Sequence, residues 1–274
     1  MIKEKFDLSG KVALVVGGRG FLGQRFCAAL AEFGAHVYAA DLPELSMAAK
    51  LDTNQEKNLQ GVIQKTVNVT DAKSVKELIQ EILADTSKID ICVYGVTAKP
   101  KDFSKPFTEC SLEGWQTVIR AELDGLFLTT QQVGSAMESA GGGSIILVSS
   151  IYGIVGNDQR IYQGANIPWF GNNQSQRIYS HAAYAAAKGG VISVTRFLAA
   201  YWGEIGIRVN CISPGGVEHS SENEEFVKRY SERVPLGRKA GVEEISGAVV
   251  YLASDASSYV TGHNLVVDGG WTAW

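Results

Sequence analysis

The sequence predicts an α/β fold in which helices flank an open, doubly wound parallel sheet. Short runs rich in β-branched residues alternate with stretches of helical periodicity, and a glycine-rich turn follows the first of these runs. No internal repeat or Pro/Gly-rich linker divides the chain. A chain of 274 residues, 45% hydrophobic and 20% charged, can bury the core of one large domain. We therefore expect residues 1–274 to form a single domain.

Seven apolar runs are the predicted strands. Most are continuous rather than alternating, which is typical of strands buried on both faces of a parallel sheet. The runs are Val12–Val16, His36–Ala40, Val62–Val67, Ile89–Val96, Ser144–Ser149, Arg208–Ile212 and Asn264–Val267. Between the third and the fourth, Ala72–Asp85 has helical spacing and follows Thr70 and Asp71, which can cap a helix. Such repeated units place ligands at the carboxyl ends of the strands.

Composition and charge narrow the range of partners. The formal net charge is −4 and no basic block is present, so a nucleic-acid partner has little electrostatic basis. No apolar run reaches the roughly 20 residues of a membrane span, and Met1–Lys11 lacks the apolar core of a signal peptide. We expect a cytoplasmic protein without a membrane partner. The four cysteines and four histidines are scattered singly, so no disulfide framework or metal site is predicted.

A glycine-rich loop directly follows the first predicted strand. It reads Gly17-Gly18-Arg19-Gly20-Phe21-Leu22-Gly23 and leads into an apolar helix. Glycines in this context let the backbone approach a pyrophosphate, which then faces the helix amino terminus. The loop predicts a dinucleotide site, although a structural turn can have the same pattern.

Asp41 ends the second strand, at the distance from the loop where an acidic residue contacts the ribose of NAD. A carboxylate there accepts hydrogen bonds from both ribose hydroxyls and repels a 2′-phosphate, which favours NAD over NADP. Arg19 argues in the other direction, because an arginine in the loop can pair with a 2′-phosphate. Alternatively, Asp41 only caps the turn before Pro43.

Tyr184 and Lys188 lie four residues apart in a helix-forming run, so their side chains share one helix face. A neighbouring ammonium favours the phenolate and lowers the tyrosine pKa, which would let Tyr184 exchange a proton with an alcohol. The same spacing is common on solvated helices. Here, however, Gly143–Ser150 is a buried strand that ends in two hydroxyls, where substrate is expected.

The order of these motifs resembles the short-chain dehydrogenase/reductase family from Leu8–Lys11 to Val267–Gly270, almost the whole chain. Arg208–Val217 is similar to the family's sixth strand and the following loop, which holds the nicotinamide carboxamide. The resemblance implies a single Rossmann-type domain with a doubly wound sheet of seven parallel strands, usually in a homotetramer. It also implies hydride transfer between a nicotinamide cofactor and a carbonyl or secondary alcohol.

The resemblance also assigns roles to residues. Ser150 would bind the substrate oxygen, Tyr184 would be the general acid/base, and Lys188 would bind the nicotinamide ribose and lower the tyrosine pKa. Asn68 and Val69 would flank the adenine. The implied cofactor-binding residues are Gly17, Arg19, Gly20, Phe21, Leu22, Gly23, Asp41, Leu42, Asn68, Val69, Gly95, Tyr184, Lys188, Pro214, Gly215 and Val217.

Several places depart from the family pattern, among them the three that follow. Tyr94–Thr97 replaces the usual Asn-Asn-Ala-Gly, so only a backbone role carries over. Glu122 occupies the place of an asparagine thought to hold a water in the proton relay, and it is carried forward as a catalytic candidate. His219 replaces a threonine that normally meets the cofactor phosphates, and it is treated as a loop residue.

A long insertion, at about 154–181, separates Ser150 from Tyr184. Its amides and aromatic rings suit a polyhydroxylated ligand. They include Asn157, Asp158, Gln159, Arg160, Tyr162, Gln163, Asn166, Trp169, Asn172, Asn173, Gln174 and Arg177. We expect this insertion to line a pocket for a sugar, a sugar acid or a sugar-nucleotide derivative. A polar surface flap or a subunit contact is the alternative.

Other functions stay open at this point. Glu122 and the altered Tyr94–Thr97 segment also suit a non-catalytic NAD-binding sensor or scaffold. The Gly-x-x-Gly-x-x-Gly loop is typical of extended family members and suits a nucleotide-sugar epimerase or dehydratase. More loosely, the chain resembles members associated with bacterial surface-sugar and flagellin glycosylation. Gly270–Trp274 contains two tryptophans, for which we expect contact with a neighbouring subunit of a homo-oligomer, a tetramer or a dimer.

Overall fold

One sheet of seven parallel strands forms the centre of the protein, in the order β3-β2-β1-β4-β5-β6-β7. The structure is a computed structural model that describes residues 1–44, 59–165, 167 and 178–274. The strands are β1 Val12–Val16, β2 His36–Asp41, β3 Ile63–Thr66, β4 Ile91–Tyr94, β5 Gly143–Val148, β6 Ile207–Pro214 and β7 Asn264–Val267. The predicted fold class is confirmed. The strand order reverses between β1 and β4, the kind of switch point where α/β proteins bind ligands.

Helices pack on both faces of this sheet. The α-helices of the described residues are α1 Phe21–Glu32, α2 Ala72–Thr86, α3 Leu112–Ile119, α4 Gly125–Ala140, α5 Ala182–Trp202, α6 Glu224–Ser231 and α7 Val242–Ala253. A π-helical turn, Arg120–Asp124, joins α3 to α4. Short 3-10 turns occur at Ile2–Phe6, Phe107–Glu109, Ile151–Gly153, Gln159–Tyr162, Gly203–Ile205, Asp255–Ser257 and Trp271–Ala273. The helix predicted over Ala72–Asp85 is confirmed, and Asp71 caps it by accepting a hydrogen bond from the Lys73 amide at 2.9 Å.

Alternate residues of the inner strands fill two apolar cores, one on each face of the sheet. In β1, Leu14 packs in the core that includes residues of α2, α4 and α5, whereas Val15 packs in the core that includes residues of α1 and α7. The prediction of strands buried on both faces holds for β1, β4 and β5. It is wrong for β3, where Gln64 and Thr66 are exposed because β3 is an edge strand.

A third apolar cluster joins the insertion, α6 and the carboxyl-terminal turn. Trp271 is only 8% exposed and stacks on Tyr230 of α6, with ring centroids 4.5 Å apart. The expectation that both tryptophans contact a neighbouring subunit is therefore wrong for Trp271. The turn after β7 folds back on α6 of the same chain and buries this side chain there. Trp274 is 81% exposed.

Among the residues that the structure describes, no helix combines the length and the apolar character that a membrane span requires.

Candidate active site

A cleft of about 600 Å³ opens at the carboxyl ends of the central strands. The predicted residues that line it are Gly17, Gly20, Phe21, Leu22, Gly23, Asp41, Leu42, Asn68, Val69, Gly95, Ser150, Tyr184, Lys188, Pro214, Gly215 and Val217. Two predicted residues, Arg19 and Glu122, lie behind the lining rather than in it. The parallel topology explains the convergence, because it brings the loops after β1, β2, β4, β5 and β6 to one edge of the sheet.

The glycine loop places the amino terminus of α1 against the cleft. Gly17 has a φ of +82°, a conformation that glycine adopts readily. A side chain on Gly23 would clash with the carbonyl of Gly17, so the loop closes tightly on the helix. The first amide N–H groups of a helix have no partner within it and can bind an anion. This donor set fits the pyrophosphate of a dinucleotide.

Asp41 and Arg19 form a connected unit beside this loop. The Asp41 carboxylate accepts hydrogen bonds from the backbone amides of Arg19, at 3.1 Å, and Leu42, at 2.9 Å. The Arg19 guanidinium donates to the carbonyls of Leu42, at 3.2 Å, and Lys65, at 2.8 Å. Arg19 therefore ties the loop to the ends of β2 and β3, and its contact with a cofactor phosphate stays a prediction.

Helix α5 presents Tyr184 and Lys188 to the cleft, next to the end of β5. The Lys188 Nζ atom lies 5.4 Å from the centre of the Tyr184 ring and donates to the carbonyl of Val148 at 3.1 Å. The Ser149 hydroxyl donates to the Lys188 carbonyl at 2.8 Å, so Ser149 holds the helix against the strand. Ser150 lines the cleft together with Tyr184, and its hydroxyl accepts a hydrogen bond from the Tyr152 amide at 3.2 Å. Of the two neighbouring serines, Ser149 therefore connects the strand to the helix, whereas Ser150 faces the cleft.

Glu122 lies in the π-helical turn and forms an ion pair with Lys188. A carboxylate oxygen of Glu122 is 2.9 Å from Lys188 Nζ, and the two side chains are 0% and 3% exposed. The Tyr94 hydroxyl donates to the carbonyl of Ala121 in the same turn. A side chain on Gly125, the next residue after the turn, would clash with that hydroxyl. The two departures from the family pattern, at positions 94 and 122, therefore belong to one structural unit.

The charges around Tyr184 oppose one another. Burial raises the pKa of Tyr184, the Lys188 ammonium lowers it and the Glu122 carboxylate raises it again, so the net direction is upward. Burial lowers the pKa of Lys188, but Glu122 and Tyr184 outweigh burial and hold its proton. Lys188 thus acts on the tyrosine pKa in the expected direction, but burial outweighs it and leaves the pKa of Tyr184 raised. Glu122 adds to this upward shift because its carboxylate disfavours a second negative charge nearby.

Comparison with known proteins identifies the family. A sequence model described as short chain dehydrogenase matches residues 11–165, and one described as enoyl-(acyl carrier protein) reductase matches residues 169–272. The protein belongs to the short-chain dehydrogenase/reductase family. It is a nicotinamide-dependent oxidoreductase that acts on CH–OH groups. The looser resemblance to members associated with surface-sugar and flagellin glycosylation stays a prediction.

Three relatives of this short-chain dehydrogenase/reductase illustrate the range of the family. D-threitol dehydrogenase of Mycolicibacterium smegmatis is 35% identical, with 97% of this chain and 95% of the relative covered. A short-chain dehydrogenase from Leptospira borgpetersenii with bound NAD⁺ is 30% identical, has a TM-score of 0.82 and covers 97% and 94% of the two chains. A gluconate 5-dehydrogenase from Burkholderia cenocepacia, in complex with NADP and tartrate, is 29% identical, with a TM-score of 0.82 and coverage of 99% and 98%.

The described part of the insertion contributes less to the cleft than its polar residues predicted. Tyr162, Ile167 and Ser180 line the cleft. Gln159 instead bonds the backbone of Ser180, and Asp158 pairs with Arg160 and with Arg233, near the end of α6. These side chains hold the loop in place because irregular backbone needs hydrogen-bond partners of its own. Asn166, Trp169, Asn172, Asn173, Gln174 and Arg177 lie outside the described residues.

Sequence reasoning missed several residues that line the cleft of this short-chain dehydrogenase/reductase. His219 was treated as a loop residue, yet it faces the cleft and its ring centre lies 4.8 Å from that of Phe21. Tyr152, Glu222, Phe226, Tyr230 and Lys239 are among the others. Tyr152 carried a usable signal, because it follows the serine by two positions. The remaining residues lie in segments without a motif, and only tertiary packing brings them to the cleft.

Proposed function

We propose that this protein is an NAD-dependent dehydrogenase of polyols or similar sugar-like secondary alcohols. The observation that carries the proposal is the hydroxyl-rich wall around Tyr184. The Tyr152 and Tyr162 hydroxyls are 2.9 Å apart, and both residues line the cleft with Ser150 and Tyr184. Converging hydroxyls pair with the hydroxyls of a polyol, and the tyrosine rings provide apolar surface for its carbon chain. The likeness to D-threitol dehydrogenase supports the same substrate class.

The proton chemistry follows from three side chains. Ser150 donates to the substrate oxygen and orients it, and the Tyr184 phenolate accepts the hydroxyl proton during oxidation. Lys188 stabilises that phenolate, and the Val148 carbonyl and Glu122 hold its ammonium in place. A nicotinamide bound in the cleft would supply the acceptor for the hydride that leaves the carbon bearing this hydroxyl. Reduction of a carbonyl uses the same groups in the reverse sense. Glu122 acts through Lys188, so we assign it a positioning role.

The preference for NAD rests on the unit formed by Asp41 and Arg19. The Asp41 carboxylate is held at the cleft by two backbone amides, where it can accept hydrogen bonds from the ribose hydroxyls. A 2′-phosphate at that place would meet this negative charge. The Arg19 guanidinium, which could offset the repulsion, binds two backbone carbonyls.

Substitution Tyr184→Phe tests the enzymatic proposal. We expect NADH formation from D-threitol, followed at 340 nm, to fall by about 10²–10⁴ because the proton acceptor is lost. Binding of NAD should persist, because the phosphate loop and Asp41 are unchanged. Tyr201→Phe, at an exposed position of the same helix, is the matched control and should keep wild-type turnover. Full activity of Tyr184→Phe, or isomerisation of substrate by the wild type without net NADH formation, would contradict the proposal.

We also propose that the protein is a homo-oligomer. Phe127 on α4 and Phe197 and Tyr201 on α5 are more than half exposed, and the rings of the last two stack with centroids 6.1 Å apart. Exposed aromatic surface of this kind is typical of protein interfaces.

A further inference from the structure

A second buried ion pair lies in the cleft and has no part in the proton chemistry. The Lys239 ammonium pairs with a Glu222 carboxylate oxygen, and both side chains are 3% exposed. Both residues line the same cleft as Ser150 and Tyr184. Removing two charges from water is costly, and a buried pair is often replaceable by apolar residues without loss of stability. A buried pair that faces a substrate cleft therefore suggests a ligand-binding role.

Lys239 is held firmly in this position. The next residue, Ala240, forms a β-bridge with Val217 and donates its amide to the Gly216 carbonyl at 2.9 Å. The Lys239 Nζ atom lies 5.1 Å from the ring centre of Phe226 and 5.5 Å from that of Tyr230. These rings of α6 fix the side chain and stabilise its positive charge. The ammonium is thereby anchored to the loop that follows β6.

Glu222 is held from a different side. Its backbone amide donates to the His219 carbonyl at 3.1 Å. Tyr162 stacks on Phe226 with ring centroids 5.7 Å apart, and the Phe226 ring centre lies 5.1 Å from Lys239 Nζ. The tyrosines that line the cleft beside Tyr184 therefore continue to the ion pair through Phe226.

The pair presents one negative acceptor and one positive donor with no net charge. A vicinal diol matches this arrangement, because one hydroxyl can donate to Glu222 while the other accepts from Lys239. A carboxylate matches it poorly, because Glu222 already neutralises the ammonium and would repel a second negative charge. Specificity of this kind depends on a repulsive element as well as an attractive one.

We propose that Lys239 and Glu222 bind a neutral vicinal diol of the substrate and exclude the carboxylate of an aldonate. This inference rests on the proposed function and names the substrate class within it: polyols and ketoses rather than sugar acids.

The test compares a polyol with the aldonate of the same carbon chain, D-threitol with D-threonate and D-glucitol with D-gluconate, in NAD reduction. For the wild type we expect kcat/KM to favour the polyol by roughly tenfold or more in at least one pair. Glu222→Gln leaves an unneutralised ammonium and should move the ratio towards the aldonate by roughly tenfold. Lys239→Met should lower kcat/KM for the polyol and leave the aldonate excluded.

Two further variants separate binding from folding. Lys239→Met with Glu222→Gln leaves no unpaired charge, and we expect it to lose polyol activity and to discriminate weakly between the two classes. Glu224→Gln, at an exposed carboxylate in the first turn of α6, is the matched control and should keep the wild-type ratio. Thermal unfolding of each variant shows whether it is folded.

The outcomes are distinguishable. A wild type that favours aldonates, or folded variants that keep the wild-type ratio while polyols remain substrates, would overturn the diol assignment and leave the proposed function standing. Variants that change only the KM for NAD would assign the pair to the cofactor and overturn the inference as well. A wild type that reduces NAD with neither class would overturn the proposed function and this inference together.

Discussion

Glu122 brings a negative charge to a position where the family has a neutral amide. It lies 2.9 Å from the lysine that is expected to lower the pKa of Tyr184. The carboxylate therefore weakens the effect of Lys188 on the tyrosine while it fixes the position of the ammonium. At the scale of single residues, this is the clearest way in which the chain departs from the chemistry that its motifs imply.

Substitution Glu122→Gln should move the acid limb of the pH profile to lower pH. Oxidation requires Tyr184 as the phenolate, so the rate rises as pH passes upward through its pKa. Glu122 raises this pKa, and its removal lowers it. The measurement is kcat/KM for the polyol against pH at saturating NAD. Asp124→Asn, at an exposed carboxylate of the same π-helical turn, is the control. An unmoved limb, or one at higher pH, would contradict the positioning role of Glu122.

Asp41 controls the choice of cofactor in this proposal. Asp41→Ser removes the repulsion against a 2′-phosphate and the two acceptors for the ribose hydroxyls. We expect the ratio of kcat/KM for NADP to that for NAD to rise by about tenfold or more. Glu44→Gln, an exposed carboxylate three residues further along, should leave the ratio unchanged. A wild type that already prefers NADP would refute this role.

At the scale of elements, the π-helical turn decides where Glu122 points. An extra residue in a helical turn shifts the side chains that follow, and such turns are frequent at functional sites. Tyr94, at the end of β4, holds the turn through its hydrogen bond to the Ala121 carbonyl. Tyr94 at the end of β4 and the π-helical turn that carries Glu122 are therefore structurally coupled.

Tyr94→Phe should destabilise the protein by about 1–3 kcal/mol, because the Ala121 carbonyl loses its buried donor. Urea unfolding measures the change. Tyr259→Phe, at a fully exposed tyrosine, is the matched control and should change the free energy of unfolding by less than about 0.5 kcal/mol. Equal stability of the two variants would mean that the tyrosine hydroxyl does not support the turn.

At the scale of the whole molecule, the exposed aromatic residues of α4 and α5 predict association. We expect light scattering of the wild type to give a molar mass that is a multiple of the 29.5 kDa chain. The pair of substitutions Phe197→Glu and Tyr201→Glu should reduce that mass, because it places charges in the apolar contact. Ile2→Glu, at an exposed apolar residue outside these helices, should not. A monomeric wild type would end this proposal.

Sequence reasoning succeeded for residues that belong to local motifs, and it failed for residues that meet only through contacts between distant parts of the chain. The glycine loop, Asp41, Ser150, Tyr184 and Lys188 were found because each belongs to a local pattern of strand, turn or helix. The parallel topology then brings them together without further information. Glu222 and Lys239 belong to no local pattern, and 17 positions separate them in the chain. Their pairing depends on how two loops fold over α6.

The sequence by itself determined the fold class and identified the glycine loop, Ser150, Tyr184 and Lys188 as residues of one site, all of which line the cleft. It could do so because backbone conformation and helical or strand periodicity are encoded over a few residues. Only the tertiary structure decided which charges face one another. It turned Arg19 towards backbone carbonyls, placed Glu122 against Lys188, buried Trp271 within its own chain and joined Lys239 to Glu222. Electrostatic energies depend on distance and burial in space, and the order of residues along the chain does not specify either of these.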